Sequence, residues 1–414
     1  VKNLLELLGK KIQCNCGKIH TIPSVNIVWD RFSNTYFSNK KSLFVADENT
    51  ANLSNLSGKN VLILTDPRRV TATVENVDKV LKILGNEDMI VSIGSGSLTD
   101  IAKYAAYLSK KEFSCVPTAP SVDGYTSSAA PLMVNGIKQT LDAKTPKTII
   151  LDIDILRNCP LDLLRAGIGD ISAKVIARFD WLLSHHITGE YICDFFWNNL
   201  EDVLFELLKD VNNIFQREKN FVSKLMTAQL ISGLNITVAG NSRPASGSEH
   251  LISHFLEMVY EARGELPLFH GLQVAMGTYI SLHAYEILFE DIPLEKSSNN
   301  LEEKKRSLIQ LFGPKKAENF LQIYRNKNMV KIANLNKIKK SLEKTYLRFS
   351  PLLKNVCKVI DVGELFKNYS RDVIKQAINL SNMLRERYTV LDFLDSSGIL
   401  KSFSDWIVEK AGRW

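Results

Sequence analysis

Three of the chain's seven histidines fall in two neighbouring segments, Gly247-Ser-Glu-His-Leu-Ile-Ser-His254 and Phe269-His-Gly-Leu-Gln-Val-Ala-Met-Gly277. His250 and His254 are four apart, so on a helix they project from one face and can converge on a single ion or substrate. A metal needs further ligands. The candidates are His270 downstream and Asp170 upstream, in Ala166-Gly-Ile-Gly-Asp-Ile-Ser-Ala-Lys174. One carboxylate and two imidazoles leave coordination positions open on a divalent ion, the arrangement of a catalytic rather than a structural site. The competing reading is ordinary: histidine pairs at this spacing also arise by chance on amphipathic helices.

A second kind of chemistry sits earlier in the chain. Ile90-Val-Ser-Ile-Gly-Ser-Gly-Ser-Leu-Thr-Asp100 places Gly94 and Gly96 between an apolar strand and a helix, where backbone amides and the helix dipole favour an anion. The spacing is not that of the dinucleotide fingerprint, and by itself it also fits a plain tight turn. Asp47, at the end of the predicted strand Leu43-Phe-Val-Ala46, can accept hydrogen bonds from ribose hydroxyls and repel a ribose phosphate; its competing role is a helix N-cap. Val116-Pro-Thr-Ala-Pro-Ser-Val-Asp-Gly-Tyr-Thr-Ser-Ser128 offers hydroxyls and rigid backbone to a cofactor, and Asp123 to a polyol or keto substrate, or it is a surface loop.

These segments need elements to hold them. Before residue 160, strands are predicted at Val25 to Trp29, Ser42 to Ala46, Val61 to Thr65, Met89 to Ile93, Phe113 to Val116 and Thr148 to Leu151. Helices are predicted between several of them, at Asn49 to Ser57, Val74 to Leu84 and Leu98 to Ser109, and this alternation implies parallel βαβ units with helices on both faces of a sheet. From residue 160 the pattern is helical alone: Leu161 to Val211, Lys219 to Val238, Ser248 to Arg263, Gly271 to Phe289, then Leu301 onward. The expected organisation is an α/β domain over residues 1–158 and an all-helical domain over 159–414, with Pro146 and Pro160 bracketing the hinge.

At 414 residues, 45% hydrophobic and 23% charged, the chain has the composition of a globular protein of two or three domains. Its net charge of +7 lies on lysine-rich helical faces without aromatic interleaving, which argues against a nucleic-acid groove. No stretch approaches a membrane span, and the six cysteines are scattered except Cys14 and Cys16, so a reducing cytoplasm is expected. Cys14-Asn-Cys-Gly-Lys-Ile-His20 resembles half a zinc knuckle, but no fourth ligand lies nearby in sequence; a tight turn with small thiols is the alternative.

Taken together, G-S-G-S-L-T-D, T-A-P-S-V-D-G-Y-T-S, G-I-G-D-I-S-A-K, P-A-S-G-S-E-H-L-I-S-H and F-H-G-L-Q-V-A-M-G resemble the sn-glycerol-1-phosphate dehydrogenases in order and spacing. That family, whose bacterial branch the amino-terminal segment resembles, lies within the superfamily of iron-type alcohol dehydrogenases, glycerol dehydrogenases and dehydroquinate synthases. The resemblance covers roughly residues 12–290 and matches no motif in the last hundred residues. It implies a Rossmann-like parallel sheet followed by a dehydroquinate synthase-like helical domain. It further implies that Asp170, His250 and His270 ligate zinc, nickel or iron; that Asp123, Asp170 and His254 touch substrate and serve catalysis; and that Asp47, Gly94, Gly96, Ser97, Leu98, Thr99, Asp100, Thr118, Ala119, Pro120, Ser121 and Ser127 meet NAD(H) or NADP(H). Ser95 stands where related sequences often have glycine, and is tolerated if its backbone stays at negative φ. The implied reaction interconverts dihydroxyacetone phosphate and sn-glycerol 1-phosphate in a homodimer, with Arg243 or Lys174 as candidate phosphate partners. Alternatives are a glycerol or other polyol dehydrogenase, a dehydroquinate synthase-like cyclase, which usually has Glu where Asp170 stands, and an inactive cofactor-binding homologue.

Overall fold

The computed structural model describes residues 4–53, 56, 58–290, 295, 300–327 and 335–411. Among these residues the strands are β1 (Lys11–Gln13), β2 (Ile19–Thr21), β3 (Asn26–Trp29), β4 (Ser42–Asp47), β5 (Asn60–Leu64), β6 (Met89–Gly94), β7 (Glu112–Pro117), β8 (Ala129–Val134), β9 (Ile137–Asp142) and β10 (Thr148–Leu151). Six of them form one sheet in the order β3-β10-β7-β6-β4-β5, with every pairing parallel. Each of the six predicted strands is one of these. Strand β6 is buried along its whole length, as a central strand covered on both faces must be. Phe37, Phe44, Val91, Ile93, Val116 and Ile150 belong to a core on one face of the sheet.

The helices of this first part are α1 (Val74–Ile83), α2 (Gly96–Leu108) and α3 (Ile153–Asn158). Thr73 starts α1 by accepting a hydrogen bond from the Asn76 amide. The helix expected over Asn49 to Ser57 is not built: the described part holds a 3-10 turn at Ala51–Leu53, and residues 54, 55 and 57 lie outside the described set. Two antiparallel hairpins, β1–β2 and β8–β9, were not anticipated.

No strand follows β10 among the described residues. The helices there are α4 (Leu161–Thr188), α5 (Asp194–Asn198), α6 (Glu201–Lys209), α7 (Lys219–Ala239), α8 (Ser248–Ala262), α9 (His270–Glu290), α10 (Leu301–Phe312), α11 (Pro314–Asn326), α12 (Leu335–Ile360), α13 (Val362–Phe366), α14 (Arg371–Leu380), α15 (Val390–Ser396) and α16 (Leu400–Ala411). The single helical run expected over Leu161 to Val211 is broken after Thr188, where Gly189 takes a left-handed φ of +75°. By packing, the chain divides into Val1–Ile171 with Asp194–Ser242, and Ser172–Cys193 with Arg243–Trp414. The proposed division at 158/159 follows the change of element type instead.

Candidate metal centre and cofactor loop

Gly247 is the N-cap of helix α8; its amide donates to Glu249 Oε1 at 2.7 Å, while the Ser248 amide donates to Asp180 Oδ2 at 2.5 Å. Two buried carboxylates thus satisfy the first amides of the helix. Burial, followed by the negative charge of Glu249, pushes Asp180 up to about 6. One turn in, His250 Nδ1 lies 2.8 Å from Glu249 Oε1, and on α9 His270 Nδ1 lies 2.7 Å from Glu257 Oε1. An ionised carboxylate can only accept, so Nδ1 of both rings carries the proton and Nε2 of each keeps its lone pair.

The imidazoles of His250, His254 and His270 form a triangle with centroid separations of 6.0, 5.3 and 5.6 Å. Asp170, buried on α4, completes the donor set: one ligand atom each from Asp170, His250 and His270 lies within 4.8 Å of the others. A carboxylate oxygen with two Nε2 donors, each ring anchored through its other nitrogen, fits zinc, nickel or iron alike. His254 has a different character. Burial above all, with the positive charge of Arg385 and against the opposing pull of Glu257, holds it well below the usual imidazole range. It is therefore neutral at neutral pH.

The cofactor-loop residues lie where β6 gives way to α2. A Cβ on Gly94 would meet Leu98 Cδ1 at 2.2 Å, and one on Gly96 would meet Val122 Cγ2 at 2.7 Å, so a side chain at either position would have to displace these neighbours. Ser95 between them has φ −83°, a backbone that a side chain tolerates. The Thr99 amide donates back to the Ser95 carbonyl, which leaves the amides of Gly96, Ser97 and Leu98 without a partner inside the helix. The Thr118 amide donates to the Gly94 carbonyl at 3.2 Å and brings the second loop alongside, and Tyr125 Oη fixes that loop by donating to the Ala119 carbonyl at 2.5 Å.

The fully buried Lys103 ties α2 to the end of this second loop. Its Nζ lies 3.4 Å from Asp100 Oδ1, donates to Ser127 Oγ at 3.2 Å and the Ala129 carbonyl at 3.0 Å, and also donates to the Gly124 carbonyl. Asp100 and Ser127 are thereby engaged in a structural network that sequence reasoning missed. Asp123 Oδ2 accepts from Ser232 Oγ of α7 at 2.8 Å. Two glycines allow such close approach: a Cβ on Gly167 would come within 2.0 Å of the Pro120 carbonyl, and one on Gly233 within 2.2 Å of the Asp123 carbonyl. Asp47 Oδ1 accepts from the amides of Asn49 and Thr50 and from Thr50 Oγ1, each at 3.0 Å, a local turn ahead of Ala51–Leu53; the helix that Asp47 would cap is not built.

A family model described as iron-containing alcohol dehydrogenase matches residues 38–160. A Bacillus velezensis protein named glycerol-1-phosphate dehydrogenase (NAD(P)+) is 34% identical over 272 residues, covering 64% of this chain and 68% of its own length. The chain belongs to the glycerol-1-phosphate dehydrogenase family. A Bacillus licheniformis member of the same name is 27% identical over 413 residues, covering 94% and 93% of the two chains, so the match to this family extends through the last hundred residues. In fold, a probable glycerol dehydrogenase from Sinorhizobium meliloti matches with a TM-score of 0.59 at 17% identity, covering 94% of this chain and 99% of that one. Membership makes the chain a nicotinamide- and metal-dependent oxidoreductase of small molecules. No helix among the described residues is long and apolar enough to cross a membrane.

The carboxyl-terminal segment contributes residues that no sequence motif marked. Arg387 Nη1 donates to the Ser246 carbonyl, the Val390 amide donates to Asp180 Oδ1 at 2.8 Å, and Arg243 Nη2 donates to the Tyr388 carbonyl at 3.1 Å. These bonds pin residues 387–390 across the start of α8, and the positive charge of Arg385 is among the influences that lower His254. Arg243, a phosphate partner considered from sequence, is forked onto Glu190 in an ion pair, with Nε 2.7 Å from Oε1.

Proposed function

We propose that the chain interconverts dihydroxyacetone phosphate and sn-glycerol 1-phosphate, using NAD(H) or NADP(H) and one divalent metal held by Asp170, His250 and His270. The observation that carries this reading is the pair of ligand imidazoles, each with Nδ1 anchored on a carboxylate and Nε2 left as a donor, beside Asp170. When bound, the metal supplies Lewis acidity toward the substrate carbonyl and the nicotinamide supplies or accepts the hydride. Neutral His254 hydrogen-bonds the substrate and takes up the hydroxyl proton in the direction of alcohol oxidation. Asp123, held by Ser232, and Asp170 contact the substrate, and the turn from Gly94 to Asp100, residues 118–121, Ser127 and Asp47 contact the cofactor.

Arg385, whose positive charge acts on His254, is the phosphate partner in this reading, because a guanidinium matches a phosphate dianion in charge. A homodimer in the cytoplasm completes the proposal. The test is replacement of His250 or His270 by Ala. Loss of bound metal and of turnover, with nicotinamide binding kept, supports the ligand set; a variant that retains both metal and turnover removes that ligand from it.

A further inference from the structure

The hairpin β1–β2 is turned by residues 14–18, where the Cys14 amide donates to the Lys18 carbonyl at 3.0 Å and Gly17 takes φ +85°. Cys14 and Cys16 lie in this turn, and Cys16 Sγ lies 3.5 Å from His20 Nε2 on β2. The His20 ring is clamped by aromatic residues of α5, stacked on Phe195 at 4.8 Å and edge-on to Phe196 at 5.1 Å. Directly before α5 stands Cys193, and its sulfur completes a group: one ligand atom each from Cys14, Cys16, His20 and Cys193 lies within 4.8 Å of the others. The fourth ligand that the sequence did not show near the hairpin is thus a residue far along the chain. None of the three cysteines is in a disulfide.

Packing does not account for this arrangement. A cysteine used as a small apolar filler is among the most buried residue types, yet Cys14 and Cys16 are only half-buried, on a hairpin flanked by Lys11 and Lys18. Tetrahedral zinc with Zn–S near 2.3 Å and Zn–N near 2.0 Å puts its ligand atoms about 3.5 to 3.8 Å apart. The Cys16–His20 separation already falls in that range.

We propose that Cys14, Cys16, His20 and Cys193 bind a structural zinc ion, distinct from the metal held by Asp170, His250 and His270. Four protein ligands close the coordination sphere and leave no position for substrate, so the ion fastens the amino-terminal hairpin to the chain at the start of α5. On binding, the three thiols lose their protons to the buffer and His20 ligates as neutral imidazole through Nε2, giving a ZnS3N centre of net charge −1.

The experiment is metal analysis of the full-length His250→Ala/His270→Ala protein, in which the other centre is disabled. The expected result is one tightly held zinc per chain and, after exchange for cobalt, a thiolate-to-cobalt charge-transfer absorption that Cys193→Ser abolishes. Because Cys193→Ser could also impair folding, the unmodified protein is labelled in parallel with a maleimide. Cys14 and Cys16 should resist labelling until a chelator removes zinc. Absence of tightly held zinc, absence of the charge-transfer band, a disulfide among these cysteines, or labelling indifferent to the chelator would overturn the proposal.

Discussion

Gly277 of α9 rests against the backbone of Glu249 on α8: a Cβ at position 277 would come within 2.3 Å of the Glu249 carbonyl oxygen and 2.8 Å of its Cα. Glu249 orients His250, and His270 opens the helix that carries Gly277, so this contact sets the distance between the two imidazole ligands. Gly277→Ala has to push the helices apart. The expected cost is about 1–3 kcal/mol of stability or more, together with weakened metal retention, read by thermal unfolding and by metal content after dialysis. An Ala variant with unchanged midpoint and metal content would show that the contact relaxes freely.

Glu257 holds His270 through Nδ1 without belonging to the ligand set. Glu257→Gln keeps the shape but can present an amide N–H where the ring needs an acceptor. Metal affinity, measured by competition with a chelator, should fall about 10- to 100-fold. An equal fall in a variant at an unrelated surface carboxylate would remove the specific role.

Asp180 gives a pH signature. Burial and Glu249 raise its folded value to about 6 from the ordinary 3.8, so the fold favours the protonated carboxyl. Its contribution is fully present below 3.8 and is lost as pH rises through 6. The difference in unfolding free energy between the wild-type chain and Asp180→Asn should therefore shrink across that interval and stay level above it. Denaturant titrations at a series of pH values measure it, and a flat difference would mean that Asp180 ionises normally.

Arg385 separates phosphate recognition from chemistry. Arg385→Ala should raise KM for dihydroxyacetone phosphate about 10- to 100-fold, the worth of a charge-assisted hydrogen bond, while leaving kinetics on unphosphorylated dihydroxyacetone nearly unchanged. Equal losses on both substrates would assign it a structural part.

The parallel sheet was legible because its strands are apolar runs bounded by turns: Thr148 to Leu151 is strand β10 to the residue, and Met89 to Ile93 differs from β6 only by the added Gly94. Strand β9 escaped because Ile137–Asp142 is half-exposed and mostly polar, with no buried face to set an alternation. The break at Gly189 was hidden inside a long amphipathic run. Candidate ligands could be read from motifs because neighbouring residues on α8 share one helical face. Glu257, Gly277, Arg385 and Cys193 could not, since each acquires its part only through contacts made by tertiary folding.

The most direct measurement of the central claim is NADH oxidation by metal-reconstituted protein with dihydroxyacetone phosphate, set beside unphosphorylated dihydroxyacetone, with chiral assignment of the product. The account predicts a strong preference for the phosphate and formation of the 1-phosphate enantiomer. Preference for the unphosphorylated ketone, or formation of the 3-phosphate enantiomer, would contradict it.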